Sequence, residues 1–138
     1  MVTDFQIEDT HLRRIERVQD YILRHIQEPL DREILAEVAE YSVPHFHRVF
    51  TACTGESAVT YVRRLRLSRA GQKLRMGAID IMEIALAAGY ESHAAFSKAF
   101  KKQYGISPSD FRQLNCHEAS SLLRKGSSNE NHSDEYSR

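Results

Sequence analysis

Apolar positions near the N-terminus recur at the spacing of one helix face. From Arg14 to Ile26 they stand three and four residues apart, at Ile15, Val18 and Ile22. Pro29 follows and ends this helix, because proline cannot continue the hydrogen-bond ladder. The pattern predicts a first amphipathic helix.

Four further signals divide the next segment into three helices. Asp31 is a good N-cap for a helix that runs to the turn at Tyr41. Ser42 can cap a third helix, which Gly55 closes. Ser57 then caps a long helix that ends near Arg75 and spans about 27 Å at about 1.5 Å per residue.

The same order of signals recurs in the second half of the chain. Asp80 and Glu83 form a capping box for one helix, and Ser92 caps a second. Gly105 ends that helix, and Ser107 caps a last one. No segment alternates apolar and polar residues as a strand does. We therefore predict an all-α fold of about seven helices.

The two halves repeat each other at an offset of 50 residues. The matches are Ser42 with Ser92, Phe46 with Phe96, Phe50 with Phe100, Gly55 with Gly105, and Ser57 with Ser107. Each copy comprises a helix, a short turn and a second helix, which is a helix-turn-helix. The fold is thus expected to hold two helix-turn-helix subdomains joined by a long linker helix.

This interpretation divides the chain into five parts. They are an N-terminal extension (1–13), a first helix-turn-helix subdomain (14–56), a linker helix (57–77), a second helix-turn-helix subdomain (78–115) and a mostly disordered C-terminal tail (116–138). The tail is expected to be disordered because from residue 126 onward it has almost no apolar surface to bury.

Composition excludes several classes of protein. The chain has 138 residues, 41% of them apolar and 28% charged, as in an ordinary globular protein. It lacks the roughly 18 consecutive apolar residues of a membrane span, and its polar, acidic N-terminus is unlike a signal peptide. Two cysteines without a secretory signal indicate a reducing compartment. We therefore expect a cytoplasmic protein.

The zero net charge hides two basic segments. Residues 26–40 hold five acids and one base, whereas residues 41–75 hold seven bases and one acid. Residues 92–112 hold four bases and one acid. Because the local field matters more than the total charge, these segments favour an anionic partner.

The second helix of each copy has one core face and one polar face. Phenylalanines form the core face. The exposed face carries Pro44, His47, Arg48 and Thr51 in copy one, and Ala94, Ser97, Lys98 and Lys101 in copy two. Side chains of this kind can reach base edges in the major groove of DNA, with Arg48 or Lys98 on guanine and His47 or His93 on a purine. Recognition helices about one DNA turn apart, roughly 34 Å, could enter two successive grooves.

One stretch of the second half resembles a known family. Residues 81–112, IMEIALAAGYESHAAFSKAFKKQYGISPSDFR, are similar to the signature of the AraC/XylS transcription regulators, which include small MarA- and SoxS-like members. The resemblance extends over about residues 12–115. It implies a bacterial transcription regulator with two helix-turn-helix units, for which activation is the expected role and repression the open alternative.

The resemblance also implies roles for individual residues. Base contacts fall on Pro44, His47, Arg48, His93, Ala94, Ser97 and Lys98. Contacts with the DNA backbone fall on Arg63 and Arg112. We expect further backbone contacts from Ser42, Thr51, Arg64, Ser92, Lys101 and Lys102. Three residues depart from the family pattern: Pro44 and Ala94 stand where larger contacting side chains are common, and Glu40 replaces the usual glycine of the first turn.

Two other functions remain open as hypotheses. A helical module that docks on RNA polymerase or on a sensor is the main alternative, and an enzyme that only locates itself on DNA is a remote one. No catalytic constellation is visible, and no cofactor is expected. His45 and His47 point about 200° apart on a helix, so they cannot share a metal ion.

The expected partner is double-stranded DNA, bound by a monomer at an asymmetric site, with RNA polymerase as a further candidate and no membrane contact. The protein would associate with the nucleoid when bound. The family's usual effector domain is not recognisable, which leaves a stand-alone regulator, a fragment of a longer chain, or a sensor on another protein.

Overall fold

The computed structural model describes residues 9–77 and 79–127, which contain eight α-helices and no strand. The helices are Asp9–Arg24 (α1), Arg32–Ala39 (α2), Val43–Thr54 (α3), Ala58–Met76 (α4), Ile81–Ala87 (α5), His93–Tyr104 (α6), Pro108–Arg112 (α7) and Cys116–Ser127 (α8). The all-α prediction is confirmed. None of these helices has the length and apolar character needed to cross a membrane.

The chain forms two compact units, and the boundary between Arg63 and Arg64 lies inside α4. In the first unit α1 packs on α2 and α3, and α2 packs on α3. In the second unit α6 contacts α5, α7 and α8. Each unit has its own apolar core, so each can position its own recognition helix.

The helix ends follow the signals read from the sequence. The side chains of Asp31 and Ser107 accept hydrogen bonds from backbone N–H groups three residues on, at 2.9 and 3.1 Å. Asp80 occupies the N-cap position of α5 but makes no capping hydrogen bond through its side chain. The capping box predicted there is therefore incomplete.

The first helix begins earlier than predicted. The sequence placed residues 1–13 in an extension, but residues 9–13 are helical, and residues 1–8 lie outside the described residues. His11 hydrogen-bonds the Tyr41 hydroxyl, and the Arg14 guanidinium lies 4.9 Å from the centre of the Tyr41 ring. This first turn carries no buried apolar residue, so periodicity could not detect it.

The largest correction concerns the C-terminal tail. Residues 116–127, expected to be mostly disordered, form α8, and residues 128–138 lie outside the described residues. Asn115 and Glu118 cap α8 reciprocally, at 2.8 and 3.3 Å. Ala119 and Leu123 are buried in the second core. This burial favours an ordered helix over a free tail.

Candidate nucleic-acid interface

Helices α3 and α6 begin and end in the same way. The Ser42 hydroxyl accepts from a backbone N–H at 3.3 Å, and the Ser92 hydroxyl does so at 3.1 Å. Gly55 and Gly105 end the helices with φ of 87° and 85°, a left-handed region that glycine adopts without strain. Their N–H groups donate to the carbonyl four residues back, at 2.8 and 2.7 Å.

Paired aromatic rings anchor each helix to its unit with nearly the same geometry. The ring centroids are 5.5 Å apart in Phe46–Phe50, 5.7 Å in Phe96–Phe100, 5.4 Å in Phe50–Tyr61 and 5.3 Å in Phe100–Phe111. The four phenylalanines of α3 and α6 are buried. The repeat in the sequence is therefore a repeat in packing, which leaves the opposite face of each helix free to carry different side chains.

The outer face of α3 presents three of the predicted side chains to solvent. Pro44, His47 and Arg48 are exposed. Thr51 was predicted to touch the DNA backbone, but its hydroxyl oxygen is buried and has no hydrogen-bond partner among the described residues. A phosphate contact through Thr51 would require its side chain to rotate.

The outer face of α6 combines small, polar and basic groups. His93, Ala94 and Lys98 are exposed, and Ser97 is half-buried. The Ser97 hydroxyl lies 3.3 Å from Nδ1 of His93, within hydrogen-bonding distance. The two side chains therefore form a polar pair on this face of α6. Lys101 and Lys102 are exposed at the C-terminal end of the helix.

The arginines of α4 differ in their exposure. Arg63 is exposed, and Arg64 and Arg66 are half-buried. Burial lowers the pKa of the Arg66 guanidinium from its usual range, and the charge of Tyr90 opposes this shift. Only Arg63 of these three is exposed enough to approach a phosphate without rearrangement.

Arg112 has protein partners in the structure. Its Nε donates to the Leu74 carbonyl at 3.2 Å, and its Nη2 donates to the Ile79 carbonyl at 2.5 Å. The first of these carbonyls belongs to the last turn of α4 and also accepts from the Gly77 N–H at 3.2 Å. Arg112 therefore ties α7 to the segment between α4 and α5, and its predicted contact with the DNA backbone stays a prediction.

A cavity beside α3 is lined by a residue that the sequence did not indicate as functional. Arg32, the first residue of α2, lines it together with His47 of the outer face of α3. Arg32 lies in the acidic segment 26–40, so charge patterning gave no reason to choose it. Among the described residues, no group of three or more His, Cys, Asp or Glu side chains could hold a metal ion.

Comparison with known proteins identifies similar sequences. A helix-turn-helix domain family profile matches residues 35–114. The regulatory protein SoxS of Salmonella typhimurium is 32% identical over 103 residues, which cover 75% of this chain and 96% of SoxS. The right origin-binding protein of Escherichia coli is 37% identical over 89 residues, which cover 64% of this chain and 31% of that protein.

Solved structures share the fold. The DNA-binding domain of the transcription factor AdpA, crystallised with a target DNA, has a TM-score of 0.66 and 30% identity, and the match covers 71% of this chain and 88% of that domain. An AraC-type transcriptional regulator from Chromobacterium violaceum has a TM-score of 0.70 and 27% identity, with coverage of 76% and 94%. Each of these matches covers more of the chain than either compact unit contains, so each includes residues of both units.

Proposed function

Because the chain belongs to the AraC-type family of helix-turn-helix transcription regulators, we propose that it binds double-stranded DNA in a sequence-specific manner. Helices α3 and α6 enter successive segments of the major groove. Pro44, His47 and Arg48 read bases from α3, and His93, Ala94, Ser97 and Lys98 read them from α6. The exposed arginine Arg63 contacts the backbone, and phosphate contacts of this kind supply affinity without reading sequence.

One observation carries this proposal: the two helices share the same caps and ring geometry but carry unlike outer faces. Ring separations of 5.5 and 5.7 Å show that α3 and α6 are anchored alike. Arg48 and Lys98 occupy matching positions on those helices. An arginine can bind guanine bidentately, whereas a lysine acts as a point charge. The two units would therefore read different half-sites.

The unlike faces favour a monomer on an asymmetric site, because a two-fold symmetric site would need two identical reading surfaces. We propose that the protein activates transcription and that RNA polymerase is its second partner. It acts in the bacterial cytoplasm, on the nucleoid, by binding rather than by catalysis. The relatives are named as regulatory or DNA-binding proteins, which supports this assignment.

Selection from random duplexes tests the proposal. The protein is expected to enrich one motif that extends over more than one helical turn, with two unlike halves. A motif confined to one half-turn, or a palindrome, would contradict the use of both helices by one chain. Enrichment of no motif would reject sequence-specific binding altogether.

The rival function is a helical protein-interaction module that touches DNA weakly. The zero net charge of the chain favours it. Salt dependence separates the two functions, because DNA binding releases counterions and weakens steeply between about 50 and 200 mM salt. A protein-interaction module has no DNA affinity to lose over that range.

A further inference from the structure

A cavity of about 240 Å³ lies in the first unit, between the start of α2, the outer side of α3 and the start of α4. Its lining residues are Arg32, Phe46, His47, Ser57, Ala58 and Val59. The volume is below the roughly 300–1,000 Å³ of drug-sized ligand sites. It suits a single ring-sized group, with an apolar wall and a polar rim.

Arg32 points to this cavity because of its position on α2. At about 100° per residue, it shares the helix face of Leu35, Ala36 and Ala39, which are buried. The acidic residues Glu33 and Glu37 lie about 100° and 140° away around the helix. Arg32 therefore lines the cavity, while these two carboxylates face elsewhere.

Two of the polar side chains that line the cavity, Arg32 and His47, have no partner within the described part of the chain. Arg32 and His47 are both exposed, and neither side chain makes a hydrogen bond or an ion pair with any described residue. The third polar group differs, because the Ser57 hydroxyl is already bonded to Thr60 at 3.0 Å. The rim thus offers unused hydrogen-bond donors beside an apolar surface.

In a helix-turn-helix, the first helix crosses the DNA backbone while the second lies in the major groove. A cavity with one wall from each helix therefore meets the strand at the edge of that groove. We propose that this cavity receives one sugar–phosphate unit of that strand. Arg32 binds the phosphate, and Val59 contacts the apolar face of the deoxyribose. This inference rests on the proposed function.

Phosphate ethylation interference on the selected duplex tests the inference. With the wild-type protein, ethylation of one phosphate at the edge of the α3 half-site is expected to reduce binding. Arg32→Gln should make binding insensitive to that phosphate and reduce the slope of log affinity against log salt by about one. Its base preferences should be unchanged, because phosphate contacts carry no sequence information.

Two further variants sharpen the test. Arg13→Gln removes the same charge from an exposed position of α1, and it should leave the interference pattern unchanged. Val59→Phe fills the cavity from a side chain that is 45% exposed, so the protein should fold and should lose sensitivity to the same phosphate. An Arg32→Gln variant with the wild-type pattern and slope would overturn the inference and leave the proposed function standing. If the wild-type protein enriches no motif, the proposed function itself fails.

Discussion

The guanidinium of Arg14 donates a 3.2 Å hydrogen bond to the carbonyl oxygen of Glu40. Glu40 is the only non-glycine residue in the described ranges with a positive φ, 64°. The matching residue of the second copy is Gly89, with φ of 94°. Because a side chain in this region costs about 1–2 kcal/mol, α1 supports a turn that glycine makes without strain in the second copy.

Replacing Glu40 with glycine should therefore stabilise the protein. We expect the free energy of unfolding to rise by about 1 kcal/mol, since relief of the left-handed strain exceeds the loss of the exposed Arg17–Glu40 ion pair. Urea denaturation followed by circular dichroism measures the change. Glu37→Gly, inside α2, should instead cost about 1 kcal/mol. A Glu40→Gly variant less stable than wild type would contradict the account of this turn.

Arg112→Ala should destabilise the second unit. The substitution leaves the Leu74 and Ile79 carbonyls without their charged donor, which should lower the free energy of unfolding by about 1–3 kcal/mol. A shallower salt slope of DNA binding would report an additional phosphate contact by Arg112. Arg124→Ala, on the exposed side of α8, is the matched control and should leave stability unchanged. Unchanged stability with a shallower slope would support the phosphate contact that the family resemblance implies.

Gly126→Ala should loosen the last turn of α8. A Cβ atom there would lie 2.1 Å from Cε1 of Tyr104. This ring cannot easily yield, because it packs 4.7 Å from the Phe100 ring. Overpacking of this kind costs about 1–3 kcal/mol, so amide hydrogen exchange in α8 should accelerate by about tenfold or more. Arg124→Ala, at an exposed nearby position of α8, should leave exchange unchanged, and equal rates in both variants would argue against close packing at residue 126.

Substitution of a residue proposed to contact bases should change the base preference in one half of the DNA site. Arg48→Ala and Lys98→Ala should each relax the preference at bases of one half-site, at a cost of about 1–3 kcal/mol. Arg63→Ala should weaken all sequences alike and reduce the salt slope by about one. Competition titrations with single-base variants of the selected duplex measure both effects. Identical profiles for Arg48→Ala and Arg63→Ala would contradict the division between base and backbone contacts.

The two thiols should react at different rates. Cys53 is half-buried, and burial raises the pKa of its thiol, so a smaller fraction is thiolate at pH 8. Cys116 is exposed at the start of α8. Alkylation by iodoacetamide, followed by peptide mass spectrometry, should therefore modify Cys116 before Cys53. In denaturant the difference should disappear, and equal rates in the native protein would show that Cys53 is not shielded.

The parts of the fold predicted correctly are those that depend on residues close together in the chain. Ser42, Ser92, Gly55 and Gly105 bound α3 and α6 as expected, because a cap involves only the first or last turn of its helix. α8 was missed although signals were present. Asn115 with Glu118 forms a capping pair, and Ala119 stands at helical spacing from Leu123. Those signals are too short to distinguish a docked helix from a free one.

The sequence by itself determined the repeated helix-turn-helix units, their caps and their phenylalanine anchors, because periodicity and capping are local properties of the chain. Only the tertiary structure decided which groups Arg112 and Glu40 contact. Arg112 meets a carbonyl 38 residues away, and Arg14 supports Glu40 across 26 residues. The partner of a long cationic side chain depends on which carbonyls, rings or cavities the folded chain brings within reach, and that information is absent from local spacing.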